Sequence, residues 1–262
     1  MTFDDSPRSP PRPTSPATAP ASRSPTATGS ASDRTVALLR TSHFLRAVPT
    51  ALLERLATRA NVRELAAGDA LWREGDPAVA FHLIVTGLVT IRRSLASGAE
   101  VIVAIFGPRE NVGDTAALEG TRYPAEAIVS STTATIIKLD ATHVLALSAQ
   151  SAELSLALQR ALCRHSAALR TKVEILAAGS VRARLANLFL HLATRFGDDL
   201  PDGTVVIPIA LPRATLASLV SARVETVIRA LGPWEKSGLV KTRAGAFHLG
   251  DLGELEASAA GG

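Results

Sequence analysis

Glu225, Thr226 and Arg229, in the run RVETVIRAL, are spaced to share part of one helical surface, while Val227, Ala230 and Leu231 supply an apolar side. Arg229 can donate a bidentate pair to guanine, and Glu225 can accept from the amine of cytosine. The same spacing also permits an i,i+4 surface salt bridge, worth only a few tenths of a kcal/mol. Other reactive side chains offer less. A single cysteine, Cys163, supports neither an internal disulfide, nor a CxxC metal site, nor an iron–sulfur cluster. His143, His165 and His191 are too dispersed to hold a metal, His82 in AFHLIV reads as a packed or edge strand histidine, and Asp69, Glu74 and Asp76 read as solvated turn residues. No HExxH, P-loop or nucleophile-elbow sequence is present. The pattern points away from an enzyme, and no cofactor is expected.

The elements that must carry the first set follow from the flanking sequence. Pro212 suits the first turn of a helix, PRATLASLV, because its missing N–H has no helical partner there. Val220, Ser221 and Ala222 read as a turn, with Ser221 placed to cap the second helix. Gly232 and Pro233 should end or kink that helix near Leu231, since proline inside a helix costs about 3 kcal/mol. GLVKTRAGAFHLG then reads as a hairpin, and Gly179 and Ser180 as a hinge before VRARLANLFLHLATRFG.

Further upstream, residues 36 to 65 have leucines at helical spacing, with Pro49 opening a helix that ends near Ala60. Short apolar stretches broken by Gly-Asp and Asp-Pro turns follow, which suggests a barrel or jelly roll. From about Ala141 to Ala178 the text is helical again. Leu154, Leu158, Ala161, Leu162, His165, Leu169, Val173 and Leu176 form a stripe spaced by three or four. Such a stripe can face a second copy of the chain, its own barrel, or both.

Residues 36–140 hold 11 Lys or Arg against 11 Asp or Glu, whereas residues 179–249 hold 9 against 5. The excess positive charge therefore sits in the C-terminal third, where an acidic partner would dock. No uninterrupted apolar run is long enough for a membrane span, and the first residues lack the apolar core of a signal peptide. A cytoplasmic location is expected. The division expected is a disordered Pro/Ser/Thr/Ala-rich tail (1–33), a strand-rich barrel (34–140), a long helical stretch (141–178) and a basic C-terminal domain (179–262).

Taken in order, LAAGDALWREGDPAVAFHLIVTGLVTI, SVRARLANLFLHLATRFG and LPRATLASLVSARVETVIRALGPWEKSGLV resemble the CRP/FNR family of bacterial transcription regulators. The resemblance covers roughly residues 38–257. It implies an α+β chain: an N-terminal cyclic-nucleotide-binding-like β jelly roll, a long dimerisation helix and a C-terminal winged helix-turn-helix. Double-stranded DNA and a second copy of the chain are the implied partners, with RNA polymerase and an unidentified small ligand as further possibilities. DNA contacts would come from Arg223, Val224, Glu225, Thr226 and Arg229, with Arg213, Lys241 and Arg243 on phosphates. Family members carry Ser-Arg-Glu-Thr at the start of the recognition helix. Here Val224 replaces the base-reading arginine and could touch a thymine methyl instead.

The resemblance also locates a ligand pocket: Gly113, Asp114, Thr115, Arg122, Ala125 and Glu126, with Leu169 and Arg170 on the long helix. It departs from the family's cyclic-phosphate motif at three places. Asp114 stands for glutamate, Ala125 for the phosphate-binding arginine, and Leu169 with Arg170 for Thr-Ser. Arg122, displaced by three residues, is a poor substitute, and Glu126 would repel a phosphate. The expected function is a homodimeric, sequence-specific DNA reader that does not depend on cAMP. The competing readings are a degenerate relative that dimerises and binds a protein partner, and a regulator that senses an unidentified small ligand.

Overall fold

The computed structural model describes residues 31–94, 100–209 and 211–261, with the Glu100 side chain left aside. The expected disordered tail lies outside the described residues as far as residue 30. Its last three residues instead open helix α1 (Ala31–Thr41), whose Leu39 is fully buried against the barrel. Helix α2 (Thr50–Ala57) starts just after Pro49, as expected. The helical reading beyond it fails: Ala60–Ala66 is strand β1, held over its whole length by antiparallel pairing with β8 (Thr133–Asp140). Non-local pairing outweighs local helical spacing there.

The remaining barrel elements are β2 (Ala70–Trp72), β3 (Ala80–Thr86), β4 (Val89–Ser94), β5 (Glu100–Phe106), β6 (Asn111–Val112), α3 (Asp114–Glu119) and β7 (Glu126–Val129). They form two four-stranded sheets, ordered β1-β8-β3-β6 and β2-β7-β4-β5. Phe81, Ile84, Val89, Ala127, Val129 and Ile137, all at most 1% exposed, fill the space between them. This is a jelly-roll-like domain in an α+β chain.

The expected continuous helix from 141 to 178 is two helices. Asp140 caps α4 (Ala141–Ser148), accepting from His143 N–H at 2.7 Å, and Ser151 caps α5 (Ala152–Ala177), accepting from Leu154 N–H at 3.2 Å. Helix α4 closes at Ala149, and the Ser151 N-cap two residues later starts a new helix. The apolar stripe of α5 also divides. Leu154, Leu158 and Ala161 are buried in the core of their own barrel, so they have no surface to offer a partner. Leu162, Leu169 and Val173 are 39%, 66% and 66% exposed, and Leu176 is half-buried.

Ser180 caps α6 (Val181–Phe196), accepting from Ala183 N–H at 3.1 Å. Then come β9 (Asp198–Asp199), β10 (Val205–Ile207), α7 (Arg213–Leu219), α8 (Val224–Ser237), β11 (Val240–Arg243), β12 (Ala246–Leu249) and α9 (Leu252–Ala260). The third sheet is ordered β11-β12-β10-β9. The β11–β12 hairpin turns on Ala244 and Gly245, at φ 46° and 78°, as a tight two-residue hairpin requires.

Helix α8 does not end at Leu231. It runs through Gly232 and Pro233 to Ser237 and closes on Gly238 at φ 86°. Val227, Leu231 and Trp234, at most 1% exposed, lie at helical spacing on both sides of the proline. Trp234 packs edge-on against Phe189 and lies under the Arg182 guanidinium. Burying each large side chain is worth about 1.5–3 kcal/mol, enough together to offset the proline. Ser221 does not cap α8 either. It adopts a left-handed φ of 52° in the inter-helix turn, and Arg223 occupies the N-cap without a side-chain bond.

The C-terminal domain is docked on the barrel. Ser218 accepts from Ile102 N–H at 2.8 Å, and Lys172 Nζ donates to Leu219 O at 2.7 Å. Arg195 donates to both carboxylate oxygens of Glu110 at 2.7 Å and to Ile105 O at 3.0 Å. The side chains of Leu88 and Ile105 from the barrel join the core of the C-terminal domain.

Candidate functional site

Helices α7 and α8 and the β11–β12 hairpin bring most of the sequence-selected polar residues to one region. Arg223, Glu225 and Arg229 are exposed, Val224 and Thr226 are half-buried, and Val227 anchors the opposite face. No ion pair joins Glu225 to Arg229 among the described residues, so the salt bridge their spacing permits is not made. Arg213 is paired with Glu235 across α7 and α8, an acidic partner the sequence reading did not assign it. On the hairpin, Arg243 is exposed and Lys241 half-buried. Sequence reasoning passed over Ile228, 54% exposed one turn after Val224. An isoleucine left in water on an otherwise polar face was its visible signal.

The second site is a cavity of about 430 Å³ between β2, β5, α3, the loop after it, α5, α6 and Leu219 of α7. Gly113, Asp114, Thr115, Arg122, Ala125 and Leu169 line it, whereas Glu126 and Arg170 do not. Glu126 points instead to Arg92 across the β4–β7 pair, with which it forms a 2.8 Å ion pair. The repulsion expected of Glu126 therefore falls to a different carboxylate. Asp114 is fully buried; Asn111 Nδ2 donates to its Oδ2 at 2.5 Å, and its Oδ1 has no hydrogen-bond partner among the described residues. Burial raises its pKa, opposed by His165, whose Nε2 lies 3.5 Å from Oδ1.

His165 sits on the α5 stripe expected to pair two chains, but its Nδ1 is 3.2 Å from Thr115 Oγ1 and its ring lines the cavity. Trp72 and Tyr123 stack at 4.2 Å against Gly113, where an added Cβ would meet their rings at 3.0 and 3.1 Å. Trp72 Nε1 donates to Ala125 O at 2.8 Å, fixing the loop where an arginine would be needed. From the C-terminal domain, α6 contributes Leu188, His191, Leu192 and Arg195. Burial, assisted by Arg195, lowers the His191 pKa to about 4, so the ring is neutral at pH 7. These α6 residues were not legible as site residues, because only docking of the two domains brings them to the barrel.

No group of three or more His, Cys, Asp or Glu side chains among the described residues could hold a metal ion, and no described helix is long and apolar enough to cross a membrane.

Comparison with known proteins follows the same division. Residues 62–151 match the cyclic nucleotide-binding domain, and residues 183–258 match the Crp-like helix-turn-helix domain. The chain is 27% identical over 191 residues to the CRP-like cAMP-activated global transcriptional regulator of Mycobacterium tuberculosis, covering 72% of this chain and 83% of that protein. It is 26% identical over 183 residues to the global nitrogen regulator of Synechococcus elongatus, covering 68% and 81%. FixK2 of Bradyrhizobium japonicum has a similar fold, with a TM-score of 0.66 at 17% identity over 76% of this chain and 96% of that one. Two matched domains in this order, joined by a long helix, give this chain the fold of the CRP/FNR transcription regulators.

Proposed function

We propose that the chain is a sequence-specific DNA-binding transcription regulator that acts as a homodimer and does not depend on cAMP. The observation that carries this reading is the exposed start of α8. Arg223, Glu225 and Arg229 stand free of ion pairs among the described residues, on a helix whose other face is buried, beside a basic hairpin. A helix so presented fits the roughly 12 Å wide major groove. The exposed Leu162, Leu169 and Val173 support pairing of two α5 helices. That pairing would set two α8 helices about 34–36 Å apart, one turn of DNA. Independence from cAMP is supported by Ala125 in place of an arginine and by the buried Asp114 carboxylate.

Selection from a random duplex pool, with no nucleotide added, tests the whole reading. The expected product is an inverted repeat with half-site centres about 10 base pairs apart. Recovery of no consensus, or of one only when cAMP is present, would overturn it.

A further inference from the structure

We infer that the cavity between barrel and DNA-binding domain takes an uncharged, largely apolar small molecule carrying one hydrogen-bond donor, which docks against Asp114. This rests on reading the barrel as the sensor of a regulator, and names what that sensor holds in place of a cyclic nucleotide.

Three features select the ligand class. First, most of the wall is apolar, with Trp72, Phe106, Ile175, Leu188 and Leu192 among the side chains that form it. Second, the charges in the wall balance: Asp114 and Glu119 stand against Arg122 and Lys172, and Arg195 is already paired with Glu110, so no net charge calls for a counter-ion. Third, the Asp114 Oδ1 is buried without a hydrogen-bond partner among the described residues, a condition that costs stability unless a donor completes it. The nearest group is the His165 ring, whose Nε2 stands 3.5 Å from Oδ1 while its Nδ1 lies 3.2 Å from Thr115 Oγ1. A donor from the ligand takes the place of that long contact.

The cavity's position gives the ligand a second consequence. Barrel, α5, α6 and Leu219 share its wall, so a molecule filling it touches both domains at once. Occupancy is therefore read by the DNA-binding domain of the same chain, through the surfaces that set its angle to the barrel.

Equilibrium dialysis of the full chain against four probes tests this without DNA, so its failure is distinct from a failure of DNA reading. The probes are 1-naphthol, naphthalene, 1-naphthyl phosphate and cAMP. The native chain should bind 1-naphthol about 10- to 100-fold more tightly than naphthalene, the range for a hydrogen bond to a charged group. It should bind both anions more weakly than 1-naphthol. Asp114→Ala should reduce 1-naphthol to the affinity of naphthalene. Ala168→Trp, at an exposed α5 position lining the cavity, should weaken both neutral probes about tenfold or more, and keeps the test valid if the Asp114 variant does not fold. Equal binding of 1-naphthol and naphthalene, tighter binding of either anion, or indifference to Ala168→Trp would overturn the inference. So would the absence of 1-naphthol binding up to about 1 mM.

Discussion

The start of α8 and the cavity under α5 treat polar groups in opposite ways. At α8, Arg223, Glu225 and Arg229 remain in water, and the apolar stripe Val227, Leu231 and Trp234 is withdrawn into the core. In the cavity, Asp114 is withdrawn and apolar rings are presented. A surface ready for a polyanion keeps its charges hydrated and mobile until contact. A cavity that closes around a small molecule holds its charges against partners, as Arg195 is held by Glu110, because each one taken out of water must be matched. The contrast separates what each half can bind, each built around its own hydrophobic core.

The largest effect expected falls on the surface that would join two chains. Glutamate at both Leu169 and Val173 buries four unpaired charges per dimer, each costing several kcal/mol, and should leave a monomer in sedimentation equilibrium. A dimer that persists would mean that α5 does not pair through this stripe. Next in size is Trp234→Ala. It should destabilise the C-terminal domain by about 3–5 kcal/mol in denaturant unfolding, because the ring anchors α8 beyond Pro233. Arg229→Ala should cost about 1–3 kcal/mol of binding to the selected duplex and relax discrimination at one base pair. Equal loss on random DNA would make Arg229 a phosphate contact instead.

The smallest effects distinguish the two walls of the cavity by pH. The His191 pKa falls on folding to about 4, so the unfolded chain binds the extra proton and stability drops as pH falls from 6.5 towards 4. His191→Gln should flatten that acid limb in urea titrations. Asp114 shifts the other way. Its raised pKa means that the folded chain holds the extra proton, so its contribution to stability is lost as pH rises from 3.8 through the folded value. Asp114→Asn should remove this opposing slope. Identical pH profiles for the two variants would contradict the assignment of opposite walls.

Much of the fold was legible because local chemistry and tertiary packing agree. Pro212 opens α7, Ser180 caps α6, and Gly-Asp and Asp-Pro turns separate the strands. The failures came where distant packing decides. Ala60–Ala66 carries helical spacing but is claimed by β8, and Pro233 sits inside α8 because Leu231 and Trp234 are buried on either side of it. The cavity was legible on the barrel and, through Leu169, on α5, but not on α6. His165 lies on a helical stripe that points partly at the barrel and partly at solvent, and spacing alone cannot tell which. His191, Leu192 and Arg195 reach the cavity only through the docking that also pairs Arg195 with Glu110.

DNA reading without a cyclic nucleotide is tested most directly by fluorescence anisotropy of the full chain on its selected duplex and on a scrambled one, across a salt titration, with and without cAMP. The predicted result is selective binding whose affinity falls steeply with salt, as several phosphate-bound counterions are released, and which cAMP leaves unchanged. Equal, weak binding to both duplexes, or selectivity that emerges only with cAMP, would contradict it.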